Sequence, residues 1–299
     1  MTWLSHVSET CFTACYALVM VLEISRLFFR VAVRHALVLA LTSAGLFAHV
    51  IWFCLSARTT ATPLVSWYGW CMLIALALVF VYLWLRIRYP DKSVGLFLLP
   101  MVIGVIGSAL IFLSDQEPFI TKTSLSFWSI LHGMALLLGS IAATLGFIAG
   151  IMYLVQAFRL KRKLPPRQGL RLPSLEQLQR YNYWLLTLST GLLALGLLAG
   201  IIRKACLSFA AETSAPWDPI VVISSGILLL WLIAAGLFEY FYKPARQGKK
   251  VAYLTVTSFL ILGAVMVMVF SAEHAVKIKN DASQTLNSTP ASGNREVRE

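Results

Sequence analysis

Eight long apolar blocks, separated by short polar connections, follow one another along the chain. They run at about 10–29, 35–55, 64–85, 95–113, 128–157, 182–202, 220–242 and 251–272. A helix that rises 1.5 Å per residue needs roughly 20 apolar residues to cross about 30 Å of hydrocarbon. Each block therefore predicts a transmembrane helix. The first 25 residues hold no Lys or Arg, so no basic segment of a signal peptide precedes the first block, which is expected to stay as a helix. The largest break is "KRKLPPRQGLRLPSLEQLQR", where Pro165, Pro166 and Pro173 stop the fifth helix, and "SLEQLQRYN" beyond it suits a short interfacial helix. The fold class expected is all-α, a polytopic integral membrane helix bundle of about eight spans. It forms one membrane domain over 1–279, and a polar tail without aromatics, 280–299, is expected to be disordered.

Composition supports this reading: 59% of the 299 residues are hydrophobic and 13% charged, against about 25% charged in soluble domains. Charge placement adds an orientation. Every second connection is basic, with Arg26, Arg30 and Arg34 in the first and Arg86, Arg88 and Lys92 in the third. Arg159, Lys161, Arg162, Lys163, Arg167, Arg171 and Arg180 follow in the fifth, and Lys243, Arg246, Lys249 and Lys250 in the seventh. Basic flanks stay on the cytoplasmic side, so both termini are expected outside. The net charge of +12 is then mostly a topology signal, not a nucleic-acid footprint, and the expected partner of the basic loops is membrane lipid. All five cysteines fall in the outer half of this topology, where they read as small packing residues. Gly146 with Gly150 and Gly196 with Gly200 each make a GxxxG spacing, which lets helix backbones approach closely and argues for packing.

Ionisable groups within or beside spans are the candidates for function, because each costs free energy in lipid. Glu23 has Arg26 three residues on, which reads as an i,i+3 pair at the inner end. Glu239 and His35 read as inner flanks. On the outer side, His132 opens the fifth helix, His274 closes the eighth, and "SAPWDP" puts Trp217 and Asp218 just before the seventh. Asp218 and Pro219 form a sound helix start, with Asp as N-cap and Pro at the first helical position. His49 lies inside the second helix. Two outward histidines flanking an aromatic loop suit axial ligation of a haem iron. Trp217 offers a flat apolar surface, and Arg203 or Lys204 could meet the propionates. The same residues also suit an ordinary interfacial aromatic belt.

The order of these features resembles the cytochrome c assembly family of membrane haem-handling proteins, of the CcsA, ResC and CcmC types with the related HemX-type proteins, over roughly residues 125–275. The likeness rests on His132 opening a long helix that ends Gly150-Ile151-Met152-Tyr153-Leu154-Val155-Gln156. It continues with Gly196 and Gly200, then Trp217-Asp218-Pro219, then His274 ending the helix after next. The resemblance implies that His132 and His274 are outward haem ligands, with Trp217 and Asp218 as the platform. Against the family pattern, the loop "IIRKACLSFAAETSAPWDP" keeps a single tryptophan, and "GLFEYFYK" stands where an inner histidine is expected.

The function expected is haem handling in cytochrome c biogenesis, holding or delivering haem on the outer face of the inner or plasma membrane. A separate membrane protein would present apocytochrome c, and this chain would be at most a subunit of a haem-attachment complex. The alternative is a HemX-type regulatory or scaffold protein without stable haem binding. A transporter fits poorly, since no central charges or paired broken helices occur.

Overall fold

The computed structural model describes residues 8–28, 33–59, 66–112, 127–163, 170–210, 219–241 and 249–288. Side chains at 58, 59, 112, 207–210, 239 and 270–288 are not among those described. Eight helices are found among the described residues: α1 (Glu9–Ser25), α2 (Arg34–Thr59), α3 (Trp67–Arg88), α4 (Gly95–Phe112), α5 (Phe127–Lys161), α6 (Leu175–Ala210), α7 (Pro219–Phe241) and α8 (Lys249–Ser288). Six of them are long and apolar enough to cross a membrane, whereas α1 and α4 are shorter. Large apolar side chains such as Phe47, Phe80, Trp84, Ile111 and Leu230 are more than half exposed, a surface that suits lipid and not water.

Helix ends follow local chemistry. α7 begins at Pro219, as a proline at the first helical position predicts; Asp218 lies outside the described residues. α5 ends at Lys161, and two residues on Lys163 has a left-handed φ of 50°. The expected separate interfacial helix is instead the first turns of α6. Ser174 Oγ accepts from the Gln177 amide at 3.2 Å, and Gln177 Oε1 accepts from the Ser174 amide at 3.3 Å, a reciprocal cap. No Gly or Pro intervenes between Leu175 and the span, so nothing breaks the helix there. At about 1.5 Å per residue the 36-residue α6 protrudes well beyond the hydrocarbon. Ser174→Ala should cost about 1 kcal/mol, read as faster amide exchange confined to the first turns of α6. The expected boundary at 279–280 falls within α8, which continues to Ser288.

α1–α4 pack as one group around Phe12, Tyr16, Met72, Leu78, Leu98 and Ile106. α5–α8 form a second group around Ala143, Leu193, Leu228, Leu232 and Leu262. α5 joins them, because Ile148, Met152 and Tyr153 belong to the first core and Ala143 to the second. The second group also has polar ties: Thr255 of α8 reaches Asn182 of α6 at 3.3 Å, and Trp231 Nε1 of α7 donates to Ser258 Oγ of α8 at 3.1 Å.

On one face of the bundle, the ends of three helices meet at a buried carboxylate. Glu23, 3% exposed, accepts from Tyr82 Oη at 3.0 Å and pairs with Arg86 at 3.5 Å. Arg26, the partner expected from spacing, stands at 4.0 Å. Its guanidinium is directed at backbone carbonyls of the α3–α4 loop, Lys92 O at 3.2 Å and Asp91 O at 2.6 Å. That loop is in turn bonded to Arg171, since the Ser93 amide donates to Arg171 O and the Arg171 amide to Ser93 Oγ. Three connections that carry basic residues thus lie together on one face, as the alternation of charge predicts.

Candidate functional site

At the opposite face, α5 and α6 run antiparallel in a register set by glycines. Small residues on one helix receive large ones from the other. A Cβ on Gly139 would lie 2.9 Å from Leu193 Cγ, and one on Gly196 would lie 2.9 Å from Leu136 Cγ. The third pairing brings His132 against Gly200, where a Cβ would come within 2.7 Å of His132 Nδ1 and 2.8 Å of Cε1. The Gly196–Gly200 spacing, read from sequence as packing alone, is therefore the seat of an imidazole.

The ring is also fixed in angle and tautomer. His132 Nδ1 lies 2.7 Å from Gly196 O. A carbonyl only accepts, so Nδ1 carries the hydrogen, and in the neutral ring Nε2 carries the lone pair. No other hydrogen bond of this ring occurs among the described residues. Histidines that ligate metals commonly donate their second nitrogen to a backbone carbonyl in this way.

Two neighbours extend the site. Arg203 is half-buried and stands seven residues after Gly196 and three after Gly200, on the same face of α6 and one turn nearer the outer surface. Trp70, in the first turn of α3, brings its ring against α5 at Gly133, the residue after the histidine. A Cβ on Gly133 would meet Trp70 Cη2 at 2.9 Å and Cζ2 at 3.1 Å. In the sequence Trp70 carries only the signal of a tryptophan near the end of a span, which many membrane helices share.

The remaining expected residues are placed less fully. Trp217 and Asp218 lie outside the described residues, and the side chain of His274 is not among those described, although its backbone belongs to α8. His49 belongs to a different part of the molecule. It is fully buried between α1 and α2, stacked on Phe12 with centroids 4.1 Å apart and planes 1° apart, with Nδ1 3.2 Å from Tyr16 Oη. Its Nε2 has no hydrogen-bond partner among the described residues. Among those residues, too, no three His, Cys, Asp or Glu side chains gather in a way that would hold a bare metal ion. A porphyrin-borne iron asks the protein only for axial ligands.

A family model described as cytochrome C assembly protein matches residues 64–274. The match begins well before residue 125, where the sequence resemblance starts, so it takes in α3 and α4, and it ends at His274. It leaves α1 and α2, with His49, outside. No curated protein and no solved structure matches.

Proposed function

The chain belongs to the cytochrome c assembly protein family, so its role lies in cytochrome c biogenesis, and from that premise we propose that it holds haem as cargo on the outer face of the inner or plasma membrane. The observation that carries this reading is the His132–Gly196–Gly200 arrangement. It presents Nε2 of a tautomer-fixed imidazole with the other nitrogen already bonded, the preorganised form of a metal ligand. Haem fits that donor set: one neutral imidazole, with the half-buried cation Arg203 on the same face of α6 for a propionate.

His274 is the proposed second ligand, and the packing of α8 supports it. Gly150 of α5 faces Thr255 of α8, and Phe147 stacks on Phe259 at 4.4 Å, so the two helices run antiparallel. Following both helices outward about fifteen residues, or roughly 22 Å at 1.5 Å per residue, leads from Phe147 to His132 and from Phe259 to His274. The two histidines share a level by this register. Trp217 and Asp218, entering α7 at the same face, are proposed to cover the haem. The protein residues bind and orient the cargo; apocytochrome is proposed to come from a separate membrane protein.

The test is the absorption spectrum of the protein purified from haem-sufficient cells. A Soret band with low-spin character is expected in the unaltered protein, changing to a high-spin or absent band in His274→Ala. An unaltered protein that purifies without haem and takes up none when it is added sinks the proposal, and the HemX-type scaffold reading then stands. Trp217→Ala should release haem faster from a protein that still accumulates in the membrane.

A further inference from the structure

On the inner face, a small open recess lies between the end of α3 and the start of α4, lined by Tyr82, Leu85, Arg86, Tyr89, Lys92, Val94 and Gly95. We propose that this recess binds a phosphate oxyanion at the cytoplasmic surface, the chemistry of an anionic phospholipid headgroup or of free phosphate.

Three features of independent origin favour an anion there. Arg86 is 94% buried, and its Nε has no hydrogen-bond partner among the described residues although the side chain lines the recess. Its NH1 is already engaged by Glu23 and by Pro90 O at 2.8 Å, so the unpartnered Nε is a donor left over after the structural bonds are made. Lys92, half-buried at the rim, makes no ion pair among the described residues. The first turn of α4 closes the third side and carries the positive end of its dipole, with the Phe97 and Leu98 amides already donating to Val94 O. Gly95 permits this approach, because a Cβ there would come within 2.6 Å of Tyr82 Cε2 and 3.1 Å of Glu23 Cγ.

Charge balance points the same way. One carboxylate, Glu23, faces two arginines, Arg26 and Arg86, and no acidic side chain lines the recess. Asp91 in the adjoining loop is 78% exposed and turned to Arg171 at 3.9 Å. The floor has room for one water-sized group, which suits a single phosphate oxygen seated against Arg86 with the others held by Lys92 and solvent. Tyr89 at the rim carries Arg88 over its ring at 5.7 Å, so the recess opens into a basic collar at headgroup depth. Guanidinium and ammonium groups in that position recognise phosphate strongly.

The experiment is native mass spectrometry of the full chain released from detergent, with added phosphatidylglycerol or phosphatidylcholine, with and without excess inorganic phosphate. One retained phosphatidylglycerol is expected, in preference to phosphatidylcholine. Lys92→Gln, a rim change that leaves the Glu23 bonds in place, should lower retention about five-fold, the loss expected for one surface cation. Arg86→Lys keeps the charge but removes Nε, and should lower it further. Displacement by inorganic phosphate would support the site with free phosphate as its ligand; no displacement supports the lipid. Equal retention of both lipids that neither substitution changes and phosphate does not affect overturns the proposal.

Discussion

Gly200→Ala is expected to strip the protein of most of its haem while removing no ligand and no charge. The new methyl carbon would lie 2.7 Å from His132 Nδ1 and 2.8 Å from Cε1. An imidazole is a rigid plane, so the clash is relieved only by rotating or withdrawing the whole ring. Either movement breaks the 2.7 Å bond to Gly196 O, and with it the hold on the tautomer that leaves Nε2 unprotonated. Loss of such a supporting bond typically costs 10- to 100-fold in metal affinity, so haem titration of the apoprotein should give a weakening of about that size. His132→Ala sets the limit to compare it with. Gly191→Ala is the control, because a Cβ there meets nothing within 4 Å and alanine favours the helix by up to about 1 kcal/mol. If Gly200→Ala binds haem as the unaltered protein does while His132→Ala does not, the seat at Gly200 has no part in ligation.

Each half of this site was legible in the sequence, but the joint was not. His132 stood out as an ionisable residue at the outer end of a span, and Gly196–Gly200 as a small-residue spacing. That they face each other depends on the register of α5 against α6, which the Gly139–Leu193 and Leu136–Gly196 pairings set across more than fifty residues of chain. Periodicity describes one helix at a time and carries no information on such offsets. The eight apolar blocks gave the helices for the same reason that they hid the register: lipid asks only for apolar length. Boundaries drifted where capping, not hydropathy, decides them, as at Ser174. The Glu23–Arg26 pair expected from spacing is present, at 4.0 Å, but spacing did not disclose the carboxylate's second arginine. Arg26 also donates to the carbonyls of Asp91 and Lys92, and Arg86, distant in sequence, comes closer to the carboxylate, at 3.5 Å.

That shared carboxylate leads to the largest expected effect on stability, from Glu23→Ala. The carboxylate is 3% exposed, and Arg86 beside it 6%. Without Glu23, Arg86 keeps, among the described residues, only Pro90 O at 2.8 Å and faces Arg26 with no intervening negative charge, while Tyr82 Oη loses its acceptor. Removing one member of a buried ion pair leaves the other desolvated and uncompensated, at a cost of about 3–5 kcal/mol. The cost should fall on the α1–α3–α4 junction, since α1, α3 and the α3–α4 loop all meet there. The pair itself need not be strongly stabilising, because two charges taken from water gain little over a well-packed apolar pair of like volume. The double substitution Glu23→Leu with Arg86→Met is therefore expected to recover most of what Glu23→Ala loses. Denaturation in mixed micelles, followed by far-ultraviolet circular dichroism, measures both. Glu23→Ala unfolding at the same denaturant fraction as the unaltered protein would show that the buried carboxylate does not hold the inner end together. A double substitution no better than the single one would show instead that this carboxylate contributes through its bond to Tyr82, with Arg86 a bystander.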